Sequence, residues 1–417
     1  MNRRNILRGA LGVAGASTAS IGISTPMTDS PATEVLVPFR IAVPQERLDD
    51  LKRRLAAVRW PDAGPAADWS QGVPLAAAQA LVEHWRHRYD WRRLETRANA
   101  YTQVRTRIDG LGIHAFHVRS PHPDALALVL THGWPGSFVE FMAVIDPLTD
   151  PTRHGGRAQD AFHVVIPSLP GFGFSDKPTE RGWDAARTAR AWAVLMQRLG
   201  HERWVAQGGD WGSRVVHALA QSRPPGLVAA HTNWPFVFPE AKPPSPTAQE
   251  ARAYADLQSF LDKQTGYAKE QQTRPQTLGY ALADSPSGQA MWIYEKFQAW
   301  TDNRGVPEDA ISMDAMLDDI TLYWLTDSGA SSARFYLENF KPGPPSYSAG
   351  RIELPMAASI FPKEIYRPPR AWAEALWPNL IYWNELDRGG HFAAFEQPAL
   401  FVEELRRAFL TFRSTGQ

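Results

Sequence analysis

The sequence predicts an α/β protein: a mostly parallel sheet flanked by helices, interrupted by a helical insertion and preceded by an additional region. Two observations carry this. From Ala125 onward, short β-runs alternate with Gly- or Pro-bearing loops and helix-like stretches: ALALVLTH, AFHVVIPS, RWVAQGG and VAAHTNW, then LPMAASIF and NLIYW. Short apolar runs separated by helical patterns are how strands buried in a parallel sheet read. The rhythm then breaks between Phe238 and Gly350, where prolines, aromatics and patterns such as AMWIYEKFQAW mark a mainly helical insertion covering the sheet. No internal repeat stands out.

Taken in order, Met1–Ser24 is MNRRNILRGALGVAGASTASIGIS, with Arg3-Arg4 followed by Ile6-Leu7 and a weakly apolar run of small residues. This resembles a twin-arginine export signal and predicts a periplasmic or extracellular protein; a basic tail on a cytoplasmic protein is the plainer alternative. The run is too polar for a stable membrane span, and Ala14-Gly15-Ala16 offers one cleavage site. Signal and linker occupy residues 1–30. The region 36–120 begins at Val37-Pro38-Phe39-Arg40. Its Glu46–Trp60 segment places Leu48, Leu51, Leu55 and Val58 on one helical face. Leu75–Trp91 reads as a second helix, and VRTRIDGLGIHAFHVRS as two strands joined at Asp109-Gly110, a hairpin signal. The sheet then falls in two parts, 121–237 and 351–417, on either side of the insertion at 238–350.

Composition narrows the function classes. Lys plus Arg and Asp plus Glu both total 44 in 417 residues, so no charge excess points to nucleic acid or an anionic membrane. Zero cysteines remove disulfides, thiolate chemistry and Cys-based metal sites. Sixteen tryptophans, several beside Gly and Pro turns, suggest apolar cavities lined by rigid aromatics as well as core packing.

The chemistry concentrates in WVAQGGDWGSR. Gly208-Gly209-Asp210-Trp211-Gly212 has the outline Gly-x-nucleophile-x-Gly, a sharp strand-to-helix turn that pushes its central side chain into a site. Asp210 would open the helix SRVVHALA, where the dipole and free N–H groups favour the ionised form. By itself the motif fits a glycine loop with a capping aspartate equally well. Its partners tip the balance. The usual chain order is nucleophile, acid, histidine, and His391, in RGGHF, is the one histidine of twelve beyond the last β-run. For the acid, strand order favours Glu364 in ASIFPKE over Asp387, which shares the His391 loop. THGWPGS directly follows ALALVL, which nominates the backbone N–H groups of Trp134 and Trp211 as an oxyanion hole. His132 reads as a turn residue, and His114 and His117 as residues decorating a strand. No histidine has a partner at metal-ligand spacing, so neither metal nor other cofactor is predicted.

In combination and in order, HGWPGSF, PSLPGFGFS, GGDWGS and RGGHFAAFEQP resemble the α/β-hydrolase-fold epoxide hydrolases of the microsomal type, from about Val37 to the C-terminus. The resemblance implies Asp210 as nucleophile, His391 as base and Glu364 as acid. It implies Tyr267 and Tyr336 as the two lid tyrosines, which nothing else selects from eleven. Trp134, Trp211, Phe172 and Phe392 become the candidate substrate-contacting aromatics. The implied reaction takes a small apolar epoxide and water to a vicinal diol, with no nucleic acid and no membrane span involved. An export-like signal stands where microsomal relatives carry an anchor. The nearest alternative, a haloalkane dehalogenase, shares the aspartate and the ester intermediate; the tyrosines and the N-terminal region argue against it. A catalytically silent binding protein of this fold is opposed by the competent residue type at every catalytic position.

Overall fold

The computed structural model describes residues 35–239, 243–340 and 350–413. The predicted export signal lies outside the described residues. Nine strands form one sheet: β1 (Val37–Phe39), β2 (Gln103–Ile108), β3 (Leu111–Val118), β4 (Leu126–Thr131), β5 (Phe162–Pro167), β6 (Trp204–Gly208), β7 (Leu227–Thr232), β8 (Met356–Ile360) and β9 (Leu380–Glu385). Their order is β1-β2-β3-β5-β4-β6-β7-β8-β9. From β5 to β9 every pairing is parallel, whereas β1, β2, β3 and β5 pair antiparallel. Every residue of β4, β6 and β8 is buried, as expected of central strands with helices on both faces.

Register decides where the site lies. Thr131 pairs with Gly208 and Gly208 with Thr232, while Ile360 pairs with Glu385. The carboxyl ends of β4, β6, β7, β8 and β9 therefore share one edge, and the chain leaves each of them into a loop there. Around β4 the strand order reverses, with β5 on one side and β6 on the other. That reversal opens a crevice at the carboxyl edge, the usual ligand position in such sheets.

Local chemistry explains the element boundaries. The first helix, Gln45–Ala56, buries Leu48, Leu51 and Leu55, but it ends before Val58, which packs from the following turn. The single helix expected over Leu75–Trp91 is two, Leu75–His87 and Trp91–Ala98. Asp90 causes the break: its carboxylate caps the second helix by accepting from the Arg92 N–H at 2.9 Å. The hairpin at Asp109-Gly110 forms as expected, with both residues at positive φ (49° and 77°).

Among the described residues the insertion contains six α-helices: Ala248–Lys263, Gly266–Thr273, Pro275–Asp284, Pro286–Trp300, Met313–Leu325 and Ser328–Asn339. Pro275 and Pro286 each sit in a first turn, where a missing N–H costs nothing and the preceding helix must stop. This lid is braced from both sides. Tyr323 donates to the Gly136 carbonyl at 2.9 Å and Ser137 to Asp319 at 2.5 Å, which ties Met313–Leu325 to the HGWPGS loop. On its other face Asp318 accepts from Tyr89 (2.9 Å) and Arg93 (2.7 Å), so the N-terminal region props the same helix. Among the described residues no helix is long and apolar enough to cross a membrane.

Candidate active site

β6 ends at Gly208, and Asp210 begins the helix Asp210–Ser222 with a φ of +46°. For an L-residue other than glycine this left-handed geometry costs about 1–3 kcal/mol and persists only where the surroundings enforce it. They do so here through glycine. A Cβ on Gly208 would strike the Gly212 backbone, and one on Gly212 would strike the Thr131 carbonyl. The turn is tight because β6, its helix and the end of β4 nearly touch.

The Asp210 carboxylate meets two partners. Oδ1 accepts from the Trp134 N–H at 2.7 Å, and Oδ2 lies 3.4 Å from His391 Nε2. On the far side of the imidazole, Nδ1 is 2.6 Å from Glu364 Oε1. That oxygen also accepts from the Ile365 N–H at 2.8 Å, which aims the carboxylate at the ring. Asp210, His391 and Glu364 thus form one line, whereas Asp387 is 81 % exposed and pairs with Arg388. His391 is held from the lid, its own N–H donating to the Trp300 carbonyl at 2.9 Å and its ring lying edge-on to Trp234 and Trp300. Asp302 accepts from the Gly389 N–H at 2.9 Å, and Glu396 accepts from the Asp302 and Phe392 N–H groups. Burial pushes the Glu396 carboxyl up to about 7.

Burial by itself would drive the His391 proton off. The charges of Glu364 and Asp210 outweigh it, and the imidazole is held well above its ordinary value of 6.5. The resting site is therefore an imidazolium between two carboxylates. Tyr267, on Gly266–Thr273, and Tyr336, on Ser328–Asn339, come from different helices and meet with ring centroids 5.8 Å apart. Burial raises both phenols, and the Asp210 carboxylate adds to this, so both remain O–H donors. Tyr267 stacks on Trp134 (4.9 Å, 9°), and Tyr336 stands edge-on to Trp211 (4.7 Å, 87°). Lys296, almost wholly buried, places its ammonium 4.3 Å above the Tyr267 ring.

Other expectations are refined. Trp134 donates to Asp210, whereas no hydrogen bond from the Trp211 N–H to that carboxylate occurs among the described residues. Trp211 reaches the site through its ring instead, against Phe335, Tyr336 and Phe340. Phe392 lies beside His391. Phe172 is fully buried against His132, Tyr323 and Phe335, and no ring contact with Tyr267 or Tyr336 is described. It is wedged between loop and lid, because the PSLPGFGFS loop turns inward at Gly171 (φ 85°) under the Ser331 carbonyl. His132 is the expected turn residue, bonded to the Gly133 carbonyl and the Leu169 N–H. His114 lies on β3 as expected, its ring fully buried between Ser168 and Gln103. Glu140, Gln207, Asn233 and Trp300 are not among the expected site residues; Glu140 stands two residues beyond the HGWPGSF motif.

Comparisons with known proteins identify the family. Residues 36–141 match the family model described as epoxide hydrolase N terminus, and residues 127–402 that described as alpha/beta hydrolase fold. A Stigmatella aurantiaca protein assigned as an epoxide hydrolase is 61% identical over 380 residues, 91% of this chain and 86% of that protein. Epoxide hydrolase 1 of Sus scrofa is 34% identical, across 90% of this chain and 88% of its own. Among solved structures, Aspergillus niger epoxide hydrolase superposes with a TM-score of 0.81 at 33% identity, covering 92% of this chain and 98% of its own. The chain belongs to the microsomal-type epoxide hydrolases of the α/β-hydrolase fold.

Proposed function

We propose that Asp210 opens the epoxide ring by attacking carbon, that Tyr267 and Tyr336 donate to the departing oxygen, and that His391, oriented by Glu364, activates water against the resulting ester. An attacking serine would leave an ether, which no oxyanion hole helps water to cleave. A carboxylate leaves an ester, which water can cleave. The observation that carries the reading is the line Glu364–His391–Asp210, with 2.6 Å on one side of the imidazole and 3.4 Å on the other.

The protons balance within the site. At rest, the Asp210 carboxylate faces the His391 imidazolium. Attack forms the C–O bond to Asp210 and breaks the ring C–O bond; the alkoxide takes a proton from a tyrosine, which His391 makes good. Forming the ester also cancels the Asp210 charge, one of the two that held the His391 proton. The imidazole is thereby turned into a base after the first step and not before it. It next takes a proton from water as the water oxygen adds to the ester carbonyl. The Trp134 N–H, already at Asp210 Oδ1, faces the developing oxyanion and contributes about 3 kcal/mol. Collapse breaks the bond between the Asp210 carbonyl carbon and the diol oxygen, which leaves with the proton that had stayed on the added water oxygen, relayed through His391. A vicinal diol is released, and carboxylate and imidazolium are restored.

The aromatic lining suits an apolar epoxide. In a single turnover in ¹⁸O water the new diol oxygen is expected to come from Asp210 and to be unlabelled; solvent label in that first turnover would overturn the ester path. We also propose, on Arg3-Arg4 and the small-residue run behind it, that the chain is exported. Replacing both arginines with lysine should strand it in the cytoplasm, and unchanged cell fractionation would exclude that route.

A further inference from the structure

Glu140 takes no part in the steps above, yet its position is unusual. It lies in the short turn Phe138–Phe141, with its side chain tucked against Gly136. It lines a chamber that reaches Asp210 at the carboxyl ends of the strands. Gln207, Asn233 and His391 stand among its polar lining and Phe141, Phe392 and Phe401 among its apolar lining; neither Tyr267 nor Tyr336 lines it. The chamber measures about 20 Å³. One water needs roughly 10–15 Å³ on this measure and two to four polar partners.

Gln207 supplies the second observation. It is 1 % exposed, at the end of β6, and its amide nitrogen donates to Asn233 Oδ1 at 2.9 Å. That bond fixes the amide and leaves Oε1 buried without a partner. A buried carbonyl oxygen in that state costs about 1–3 kcal/mol unless something donates to it. Water in the chamber can do so. Burial raises the Glu140 carboxyl well above its ordinary value, with Asp319 and Asp210 adding to this and the His391 charge opposing it. A neutral acid has one donor and one acceptor face to offer water, and it sets no further full charge against Asp210.

We propose that this chamber seats the hydrolytic water, and that Glu140 and Gln207 are positioning residues holding it between His391 Nε2 and the Asp210 carbonyl carbon. The proposal rests on the ester reading above. It makes the two half-reactions separable: chamber residues act on ester hydrolysis and leave ring opening alone.

The test is rapid quench with intact-mass detection on the full-length enzyme, using an aryl epoxide and timing ester formation and decay separately. Glu140→Leu is expected to slow ester decay about tenfold or more, the loss of one hydrogen bond to the reacting water, with ester formation within about twofold. Glu140→Gln, still neutral and still able to donate and accept, should recover most of the decay rate. Gln207→Leu should slow the same phase while leaving Glu140 in place, and it is decisive where Glu140→Leu does not fold. Unchanged decay in both leucine variants overturns the proposal, as does equal slowing of both phases, which marks a structural role. A Gln variant as slow as Leu also overturns it, because the carboxyl would then be needed as a base. If the wild-type enzyme forms no ester, the underlying mechanism fails instead, and the two failures are distinguishable.

Discussion

The Asp210 carboxylate has two unlike surroundings. Towards the lid it faces aromatic rings: Tyr267 stacked on Trp134, Tyr336 edge-on to Trp211, and Phe335 behind. Towards the strand ends it faces a small chamber in which His391, Glu140, Gln207 and Asn233 set polar groups among Phe141, Phe392 and Phe401. The contrast matches the two half-reactions. Ring opening needs an apolar pocket with O–H donors that stay protonated, and burial raises both phenols. Ester hydrolysis needs one water, one base and little room for a second alcohol. In the proposed mechanism, dividing these tasks between lid and strand ends would let one carboxylate act first as nucleophile and then as electrophile without moving.

Substitutions on the two sides should therefore fail differently. The largest effect is expected on the lid side. Changing both Tyr267 and Tyr336 to Phe removes every hydroxyl aimed at the leaving oxygen, and ring opening should fall by about 10³-fold or more with no adduct seen by intact mass. Diol formation near the normal rate would show that the lid supplies only shape. His391→Gln comes next. Turnover should drop by about 10²–10⁴-fold while the alkylated enzyme accumulates, and lost turnover without any adduct would erase the division of labour. Smaller still is Glu364→Gln, which keeps the hydrogen bond at Nδ1 but removes the charge; kcat should fall at least about tenfold. The exposed Asp387→Asn serves as its control and should change kcat by less than about twofold.

The smallest effect is on stability. Folding raises the His391 value because the charges of Glu364 and Asp210 overcome the opposing cost of burial. A raised histidine stabilises the fold fully below its unfolded value, near 6.5, and that contribution disappears as pH climbs through the higher folded value. The stability advantage of wild type over His391→Gln, measured by chemical denaturation, should therefore be greatest below pH 6.5 and shrink above it. An advantage that grows with pH would mean that the resting imidazole is neutral.

Much of this was legible in one dimension, and the reasons are local. Asp210 announces itself because Gly208 and Gly212 are required by a turn so tight that a Cβ at either strikes backbone. His391 is visible because only one histidine follows the last β-run. Each of the six β-runs from Ala125 onward became a strand, since period and branching act within a few residues. The boundary at Asp90 was missed because a capping carboxylate there outcompeted a helical pattern that ran on through it. Phe172 was misread for another reason. Its loop has the look of a pocket wall, but the lid helix Ser328–Asn339 packs over it and Gly171 turns it inward.

By itself, then, the sequence determined the order of strands and catalytic residues, the nucleophile turn and the family, all properties of spacing along the chain. The tertiary structure decided what depends on distance across it: that Glu364 and not Asp387 meets His391, that Tyr267 and Tyr336 converge from separate helices, and that Trp134 closes on Asp210. It also decided the protonation of the site, since burial and neighbouring charge set it. Glu140 shows the divide most plainly. In the sequence it is one glutamate among many on an unremarkable turn, and only folding puts a buried acid, an unpartnered amide oxygen and His391 around a space the size of about one water.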